Sequence, residues 1–367
     1  MTQIRILIVD DAVVVRRMLK DMLEGDPELE VVDTASNGKI ALEKLKTIQL
    51  DVMVLDLDMP EMDGLEVLDA VRKINPTLPI IVFSTLTERG ANKTLEALYK
   101  GATDYVTKPS TLRGGTNAID TIRSELIPKV KAFGRRRPQT SLRSPTAPPP
   151  GVRATPQQTS LRRPPVTKQP QAPAKPAQTS LRRPPARKEP GATTLKQSPS
   201  SSPAAASISA ARRVPAGGIQ ILAIGASTGG PNALAELLPQ LPSDFPVPVV
   251  IVQHMPPIFT RILAERLQLA TPFQVTEGKP GMIVEPGNIY LAPGDHHMTV
   301  SKSHDNTVRI KLNQAPPENS CRPAVDVLFR SVADVYRDKI VAVVLTGMGK
   351  DGFNGCEKIK KTGVYAD

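Results

Sequence analysis

The chain of 367 residues contains no tryptophan, only 5 tyrosines and 7 phenylalanines, and 2 cysteines. Aromatic side chains are therefore few while prolines number 37, so part of the chain cannot pack into a hydrophobic core. Cys321 and Cys356 stand at unrelated spacing, which argues against a disulfide framework or a zinc site and favours two reduced thiols in the cytoplasm. No apolar run approaches the ~18 residues of a membrane span. The N-terminal stretch MTQIRILIVDD also lacks the pattern of a secretory signal.

The net charge of +11 originates in one segment. Residues 134–216 hold 16 Lys and Arg against one acidic residue, a net charge of +15, which leaves −4 for the remainder. This segment also contains 17 of the 37 prolines, no aromatic residue, and three copies of QTSLR that begin at Gln139, Gln158 and Gln178. One leucine per copy cannot build the stacked core of a solenoid. We therefore predict a disordered Pro/Arg-rich linker, whose charge is not a specific nucleic-acid-binding face.

Residues 1–133 alternate short apolar runs with helical spacing, which predicts one complete domain. Five near-continuous apolar strands separated by helices are typical of an α/β fold, a doubly wound parallel sheet covered on both faces. The candidate strands are IRILIVD (4–10), LEVVDTA (29–35), DVMVLD (51–56), PIIVFS (79–84) and TDYVT (103–107).

Polar residues stand at the carboxyl ends of these strands, where ligands gather in such sheets. Asp10 and Asp11 close the first strand, Asp56 the third and Ser84 the fourth, and Lys108 follows the fifth. Taken singly, each aspartate could be a helix cap or a solvated strand end. Three converging carboxylates repel one another unless a cation neutralises them, and Mg²⁺ prefers oxygen ligands. A lysine nearby can pair with an incoming phosphoryl group.

This half resembles the response-regulator receiver domain over essentially its whole length. The motifs that carry the resemblance are VDD (9–11), DLDMPEMDGL (56–65), FST (83–85) and YVTKP (105–109). The resemblance implies that Asp56 accepts a phosphoryl group from a histidine kinase. It also implies Mg²⁺ ligands and switch residues: Asp10, Asp11, Asp56 and the Asp58 backbone carbonyl as ligands, and Ser84, Tyr105 and Lys108 as the groups that respond to the phosphoryl group.

The second domain, predicted over residues 217–367, contains a glycine-rich turn within AIGASTGGPNAL (223–234). Such a turn between strand and helix can cradle a phosphate on backbone N–H groups, or it can present a nucleophile. GASTGG has neither the Gly-x-Gly-x-x-Gly spacing nor the lysine of a P-loop. The next apolar strand ends at His254, and a third runs into a turn that contains Asp351. A serine nucleophile at Ser227 would find a base and an orienting carboxylate at the same sheet edge.

Each of these three residues also has an ordinary interpretation. Ser227 could cap the following helix, His254 could be a satisfied half-buried histidine, and Asp351 could simply form the KDG turn. Jointly, their placement at three strand ends favours a Ser–His–Asp set. His296 and His297 stand between a strand and a predicted hairpin, and we interpret them as loop or substrate-rim residues.

From about residue 219 onward the chain resembles the catalytic domain of the chemotaxis protein-glutamate methylesterases, the CheB family. The matching stretches include AIGASTGGPNAL, VVIVQHMPPIFT, EGKPGMIVEPGNIYLAPGDHHM, CRPAVDVLFRSVA and VVLTGMGKDG. The resemblance implies a Rossmann-like domain in which Ser227 attacks a glutamate γ-methyl ester of a chemoreceptor. His254 would shuttle the proton, Asp351 would orient the imidazole, and the Met348 backbone N–H would help to hold the oxyanion.

The same resemblance implies deamidation of certain glutamines, no cofactor for the esterase chemistry, and a monomeric cytoplasmic protein. The linker is far longer than the family's short connector. The chain ends at KKTGVYAD, where the family continues through another strand and helix, so the C-terminal end of this domain is expected to be missing. The alternative function is a switch-regulated binding protein with a defective hydrolase half. A DNA-binding effector is less favoured, since no helix-turn-helix pattern follows the linker.

Overall fold

The computed structural model describes residues 3–108, 116–135 and 218–363. Described residues on both sides of the central gap belong to one compact unit. Apart from its first two residues, the predicted linker (134–216) lies outside the described residues, so its disorder and the predicted domain boundaries stay predictions. Among the described residues, no helix is long and apolar enough to cross a membrane.

The N-terminal part is built on a five-stranded parallel sheet with strand order β2-β1-β3-β4-β5. This confirms the predicted doubly wound fold, because the strand order reverses direction at β1. The strands are β1 (Ile4–Val9), β2 (Leu29–Ala35), β3 (Val52–Asp56), β4 (Ile80–Thr85) and β5 (Asp104–Lys108). The helices are α1 (Val13–Glu24), α2 (Gly38–Leu45), α3 (Gly64–Ile74), α4 (Glu88–Tyr99) and α5 (Thr116–Gly134).

Local signals start the helices that follow the functional strand ends. Asp63 accepts the N–H groups of Leu65 and Glu66, and the Glu66 carboxylate reaches back to the Asp63 N–H, a complete capping box before α3. Thr87 caps α4 by accepting the N–H of Gly90 at 3.0 Å. These caps end the loops after β3 and β4 at defined points and so fix the residues that surround Asp56 and Ser84.

The C-terminal part contains a second five-stranded parallel sheet with order β12-β6-β7-β9-β8, beside an antiparallel hairpin of β10 and β11. A short 3₁₀ turn (Leu238–Gln240) follows the first helix of this part. The strands are β6 (Ile221–Ala226), β7 (Val249–Gln253), β8 (Gln274–Glu277), β9 (Asn288–Leu291), β10 (His297–Lys302), β11 (Val308–Asn313) and β12 (Ile340–Val344). The helices are α6 (Gly230–Leu237), α7 (Pro257–Ala270), α8 (Val325–Tyr336) and α9 (Phe353–Lys361).

Strand β7 is shorter than the apolar run that predicts it, which spans residues 246–255. Pro246 and Pro248 have no N–H to give to a ladder, so regular pairing begins only at Val249. All five residues of β7 and all six of β6 are buried, as expected for central strands of a parallel sheet covered on both faces. Their carboxyl ends therefore have fixed positions at one edge of the sheet.

Candidate active site and phosphorylation site

Ser227 follows β6 at the carboxyl edge of the second sheet. Its N–H donates to the Thr346 carbonyl at 2.9 Å, and its carbonyl accepts the N–H of Gly230 at 2.8 Å, which closes a tight turn. Gly229 occupies the left-handed region at φ 74°, and a Cβ at Gly230 would overlap Oε1 of Gln253. Helix α6 begins without a side-chain cap, so the hydroxyl of Ser227 does not serve as one.

His254 stands one residue past the end of β7, and its N–H donates to the Ala226 carbonyl at 3.1 Å. Its ring lies between two side chains: Nδ1 is 3.1 Å from Oγ of Ser227, and Nε2 is 2.7 Å from Oδ2 of Asp351. The buried Gln253 amide donates to the Ser227 carbonyl at 2.9 Å and to the His254 carbonyl at 3.3 Å. Gln253 thus ties together the two backbone segments that carry the hydroxyl and the imidazole.

Asp351 lies in the turn before α9 and accepts several hydrogen bonds besides the one from His254. The N–H groups of Val325 and Asp326, in the first turn of α8, donate at 2.6 and 2.9 Å. The Asn319 amide donates at 3.0 Å. A helix N-terminus is a favourable place for a negative charge, since its first N–H groups have no partners within the helix. Asp351 is therefore held as an anion, and its Oδ2 atom, which also accepts the Val325 N–H, faces the imidazole.

The charge state of the pair follows from these contacts. Burial lowers the pKa of His254, but the hydrogen bonds to Asp351 and Cys321 and the charge of Asp351 outweigh it and raise the pKa from 6.5 to about 9. Burial works to raise the pKa of Asp351, yet hydrogen bonds from His254, Asp326 and Val325 hold it below the ordinary value. At neutral pH the imidazole is therefore protonated, and it must lose this proton before it can act as a base.

At the first sheet, the carboxylates of Asp10, Asp11 and Asp56 come together. One oxygen from each lies within 4.8 Å of the others, and Asp10 and Asp56 are buried while Asp11 is exposed. Lys108 lies 2.8 Å from Asp10 and 2.9 Å from Asp56. Burial raises the pKa of Asp10, against the opposing effect of Lys108. Among the described residues, the three carboxylates carry more negative charge than the Lys108 ammonium balances. Such a group of oxygen donors fits Mg²⁺.

Comparisons with known proteins match both halves of the chain to known families. Residues 222–366 match the family model described as CheB methylesterase, and residues 6–120 match that of the response regulator receiver domain. A protein-glutamate methylesterase/protein-glutamine glutaminase of Trichodesmium erythraeum is 41% identical over 99% of this chain and 88% of its own length. The chain belongs to the CheB methylesterase family.

Two further matches cover different shares of the chain. A protein of the same printed name from a Nocardioides strain is also 41% identical, over 99% of this chain and 84% of its own length. The crystal structure of the Thermotoga maritima CheB methylesterase catalytic domain is 44% identical and covers 40% of this chain and 78% of that chain, with a TM-score of 0.39. The two methylesterase/glutaminase relatives align with nearly the whole of this chain, and therefore with both its receiver half and its esterase half.

In this CheB-family chain, sequence reasoning missed two side chains at the esterase site. The Sγ atom of Cys321 lies 3.5 Å from Nδ1 of His254, and the Asn319 amide bridges Asp351 and the buried Asp326 at 3.0 and 3.1 Å. Sequence analysis treated Cys321 as an ordinary reduced thiol. Its only available signal was its place directly before the Arg-Pro step of the stretch CRPAVDVLF.

The interpretation of His297 as a loop or rim residue is wrong. His297 is the first residue of β10, is 1% exposed, and its Nε2 lies 3.1 Å from the Pro316 carbonyl. It pairs with Asn313 in the hairpin, so it is part of the fold rather than of the rim. His296 stands in the loop before β10, half-buried, with Nδ1 3.3 Å from the Gly294 carbonyl.

Two of the predicted switch residues, Ser84 and Tyr105, are buried and make different contacts. Ser84 is buried at the end of β4 and donates to the Gly90 carbonyl in α4 at 3.2 Å. Tyr105 is buried, and its ring stacks on that of Phe259 of α7 with centroids 5.0 Å apart and planes 8° apart. Asp58 directs its carboxylate to Lys93 at 2.6 Å. The receiver side chain Tyr105 therefore packs directly against the esterase half.

Helix α4 of the receiver half packs against α6 and α7 of the esterase half. Arg261 pairs with Glu88 at 2.9 Å, Arg266 donates to the Asn92 carbonyl at 2.9 Å, and Asn232 donates to the Leu98 carbonyl at 2.9 Å. A cavity of about 780 Å³ adjoins this contact. Its walls come from both halves and include Asp104, Tyr105, Glu125 and Lys129 on one side and Ser227, His254, Met348 and Asp351 on the other.

Proposed function

We propose that this chain is a phosphorylation-gated protein-glutamate methylesterase and glutamine deamidase that acts on chemoreceptors. The observation that carries the proposal is the continuous hydrogen-bonded line from Ser227 through His254 to Asp351. The relatives named above supply the substrate class, since their printed names are protein-glutamate methylesterase/protein-glutamine glutaminase. The geometry supplies a nucleophile, a base and an orienting carboxylate at one sheet edge.

In the first half of the reaction, a neutral His254 accepts the Ser227 proton on Nδ1. The Nε2–H donates to Asp351, which fixes the tautomer and leaves the Nδ1 lone pair towards the hydroxyl. Oγ then bonds to the γ-carbonyl carbon, and the carbonyl oxygen becomes an oxyanion. We assign the Met348 N–H, in the loop that lines the cavity, as a donor to that oxygen. His254 passes its proton to the methoxy oxygen, the C–O bond breaks, and methanol leaves.

In the second half, water takes the place of methanol. His254 removes a proton from the water, the hydroxide adds to the acyl carbon, and collapse of the adduct breaks the bond to Oγ. The proton returns from Nδ1 to Oγ, so Ser227 is regenerated and a glutamate is released. A glutamine substrate follows the same course with ammonia as the leaving group, because amide and ester pass through the same kind of tetrahedral adduct.

The receiver half supplies the gate. We propose that Asp56 is phosphorylated by a histidine kinase and that Lys108 and Ser84 respond to the phosphoryl group. Mg²⁺ held by Asp10, Asp11 and Asp56, with the Asp58 carbonyl, would neutralise the carboxylates and the phosphoryl oxygens. Since Tyr105 and α4 contact the esterase half directly, a change at the phosphoryl site can weaken the contacts that narrow the approach to Ser227.

The test is methanol release from a methylated chemoreceptor by the full chain, with and without acetyl phosphate and Mg²⁺. We expect the phosphodonor to raise the rate by about ten-fold, within the usual range of coupling between two sites. Asp56→Asn removes this response because the amide cannot accept the phosphoryl group, and EDTA removes it as well. Asp69→Asn, at an exposed carboxylate of α3 that pairs with Lys100, is the matched control and keeps the response.

Two results would contradict the proposal. A wild-type chain that binds receptor but releases no methanol under either condition would instead be the switch-regulated binding protein with a defective hydrolase half. A response to phosphodonor that persists in the Asp56→Asn chain would place the phosphoryl acceptor elsewhere.

A further inference from the structure

The thiol of Cys321 shares a ring nitrogen with the nucleophile. Nδ1 of His254 lies 3.1 Å from Oγ of Ser227 and 3.5 Å from Sγ of Cys321, so one N–H can face two acceptors. We propose that Cys321 is a positioning residue for His254, which holds Nδ1 at the reacting centre through a second, weaker hydrogen bond. This inference rests on the proposed function, in which His254 is the base.

The loop around Cys321 is built to hold that thiol in place. Glu318 and Cys321 exchange backbone hydrogen bonds of 3.1 and 2.9 Å. Between them, Asn319 and Ser320 have φ values of 52° and 62°, a region that side-chain-bearing residues enter at a cost. The Glu318 carboxylate is held by Arg330 through two contacts of 2.6 Å. A strained turn clamped at its base gives Cys321 a defined distance from the imidazole.

The chemistry explains why a weak acceptor suits this position. When Oγ bonds to the γ-carbon in the tetrahedral adduct, its capacity to accept the Nδ1–H falls, and the protonated ring needs another contact. Sulfur is a weak acceptor, so it holds the ring without keeping the proton that must pass to the departing methoxy oxygen. A carboxylate at the same place would retain the proton. Cys321 therefore keeps the ring oriented between the two proton transfers.

Several charged groups face the same cavity from the elements around it. Asp351 and Cys321 are hydrogen-bonded to the ring, and both contribute to the raised pKa of His254. The other charged groups along the cavity wall are Asp295, Arg322 and Lys350 from loops of the esterase half, and Asp104, Glu125 and Lys129 from the receiver half. Those groups are unchanged in a Cys321 variant, so a change in the pKa of His254 in that variant reports on the thiol itself.

The experiment compares the full-length wild-type chain with Cys321→Ala, Cys321→Ser and Cys356→Ala, the last being the matched control in α9. The chain has only 4 histidines, so ring signals of ¹³C-histidine-labelled protein can be assigned by a His254→Gln variant and titrated by NMR. The pH profile of kcat/KM for methanol release is measured in parallel. In Cys321→Ala we expect the pKa of His254 to fall by about one unit, as for loss of a nearby charge-assisted partner.

The acid limb of the kcat/KM profile should move by the same amount, while kcat on the alkaline plateau falls several-fold because the ring is held less well. Cys321→Ser, which keeps an acceptor, should retain most of both properties, and Cys356→Ala should match the wild type. An unchanged titration and profile in Cys321→Ala would overturn the proposal. If the wild type releases no methanol, the proposed function fails, and the NMR titration still decides whether the thiol holds the imidazole.

Discussion

Each of the two parallel sheets has a cluster of polar residues at its carboxyl edge. The two clusters differ in how the charge of their carboxylates is balanced. In the first sheet, the carboxylates of Asp10, Asp11 and Asp56 lie together and Lys108 pairs with two of them, so that in the part of the chain that the structure describes their negative charge exceeds the positive charge paired with it. In the second sheet, Asp351 is matched by an imidazole, an amide and two helix N–H groups. In the proposed function, the first cluster takes up a cation and a phosphoryl group, whereas the second cluster itself holds the hydroxyl, the imidazole and the carboxylate of the proposed triad.

The largest expected effect comes from removal of the nucleophile. Ser227→Ala should lower the rate of methanol release by at least about 10³-fold, because only binding and oxyanion assistance remain. Phosphorylation of this variant at Asp56 should be unaffected, since Ser227 is not part of the receiver cluster. Ser243→Ala, at an exposed serine in the loop before β7, is the control. Turnover near the wild-type level in Ser227→Ala would show that Ser227 is not the nucleophile.

The two clusters should also differ in how activity depends on pH, because of the two only the esterase cluster contains a histidine. The proposed mechanism needs neutral His254, and its pKa of about 9 means that the protonated form dominates at pH 7. The value of kcat/KM for the unphosphorylated chain should therefore rise by about 50-fold between pH 7 and pH 9. A profile that levels off near pH 6.5 would show that the Asp351 and Cys321 contacts do not control the ring.

The free energy of unfolding should fall over the pH range in which kcat/KM rises. A histidine whose pKa is raised on folding stabilises the folded chain fully below its unfolded value near 6.5, and this contribution is lost as pH rises through about 9. The free energy of unfolding from urea titrations should decline between these pH values, and His254→Gln should remove that part of the decline.

The smallest expected effect concerns the contact between the halves. Arg261→Ala removes the ion pair with Glu88, which is exposed and therefore weak, so the basal rate of methanol release should rise only about two- to five-fold. Glu88→Ala should have the same effect, and the double variant should add little. Glu265→Ala is the control, since it removes only the other partner of Arg261 within α7. Unchanged basal rates would mean that this pair does not restrain the gate.

The central strands of both sheets could be predicted from the sequence because they are apolar runs with polar residues at or just after their carboxyl ends. The positions of Asp56, Ser227 and His254 at the sheet edges could be predicted for the same reason, since each lies at or just after the end of a buried strand. Cys321 stands in an irregular loop, and its distance from the imidazole depends on the backbone of its neighbours. No periodicity in the sequence encodes such a contact.

Two other features needed the three-dimensional structure for different reasons. His297 was misassigned because β10 begins at that residue, and a strand boundary cannot be placed to one residue from composition. The stacking of Tyr105 on Phe259 joins residues of two separate sheets, whose mutual placement no local pattern specifies. Sequence reasoning identified Tyr105 through family resemblance but could not name its partner.

The stacked pair of Tyr105 and Phe259 gives the molecule an optical property. The chain has 5 tyrosines and no tryptophan, so indole absorption does not obscure the near-ultraviolet spectrum of its phenols. Tyr105 lies with its ring in an apolar contact and with the ammonium of Lys129 5.2 Å from the ring centre. Transfer of that phenol to water would change its absorption and circular dichroism. The contact between the receiver half and the esterase half therefore contains an intrinsic chromophore, Tyr105. Separation of the two halves can be followed by near-ultraviolet absorption or circular dichroism without an added label.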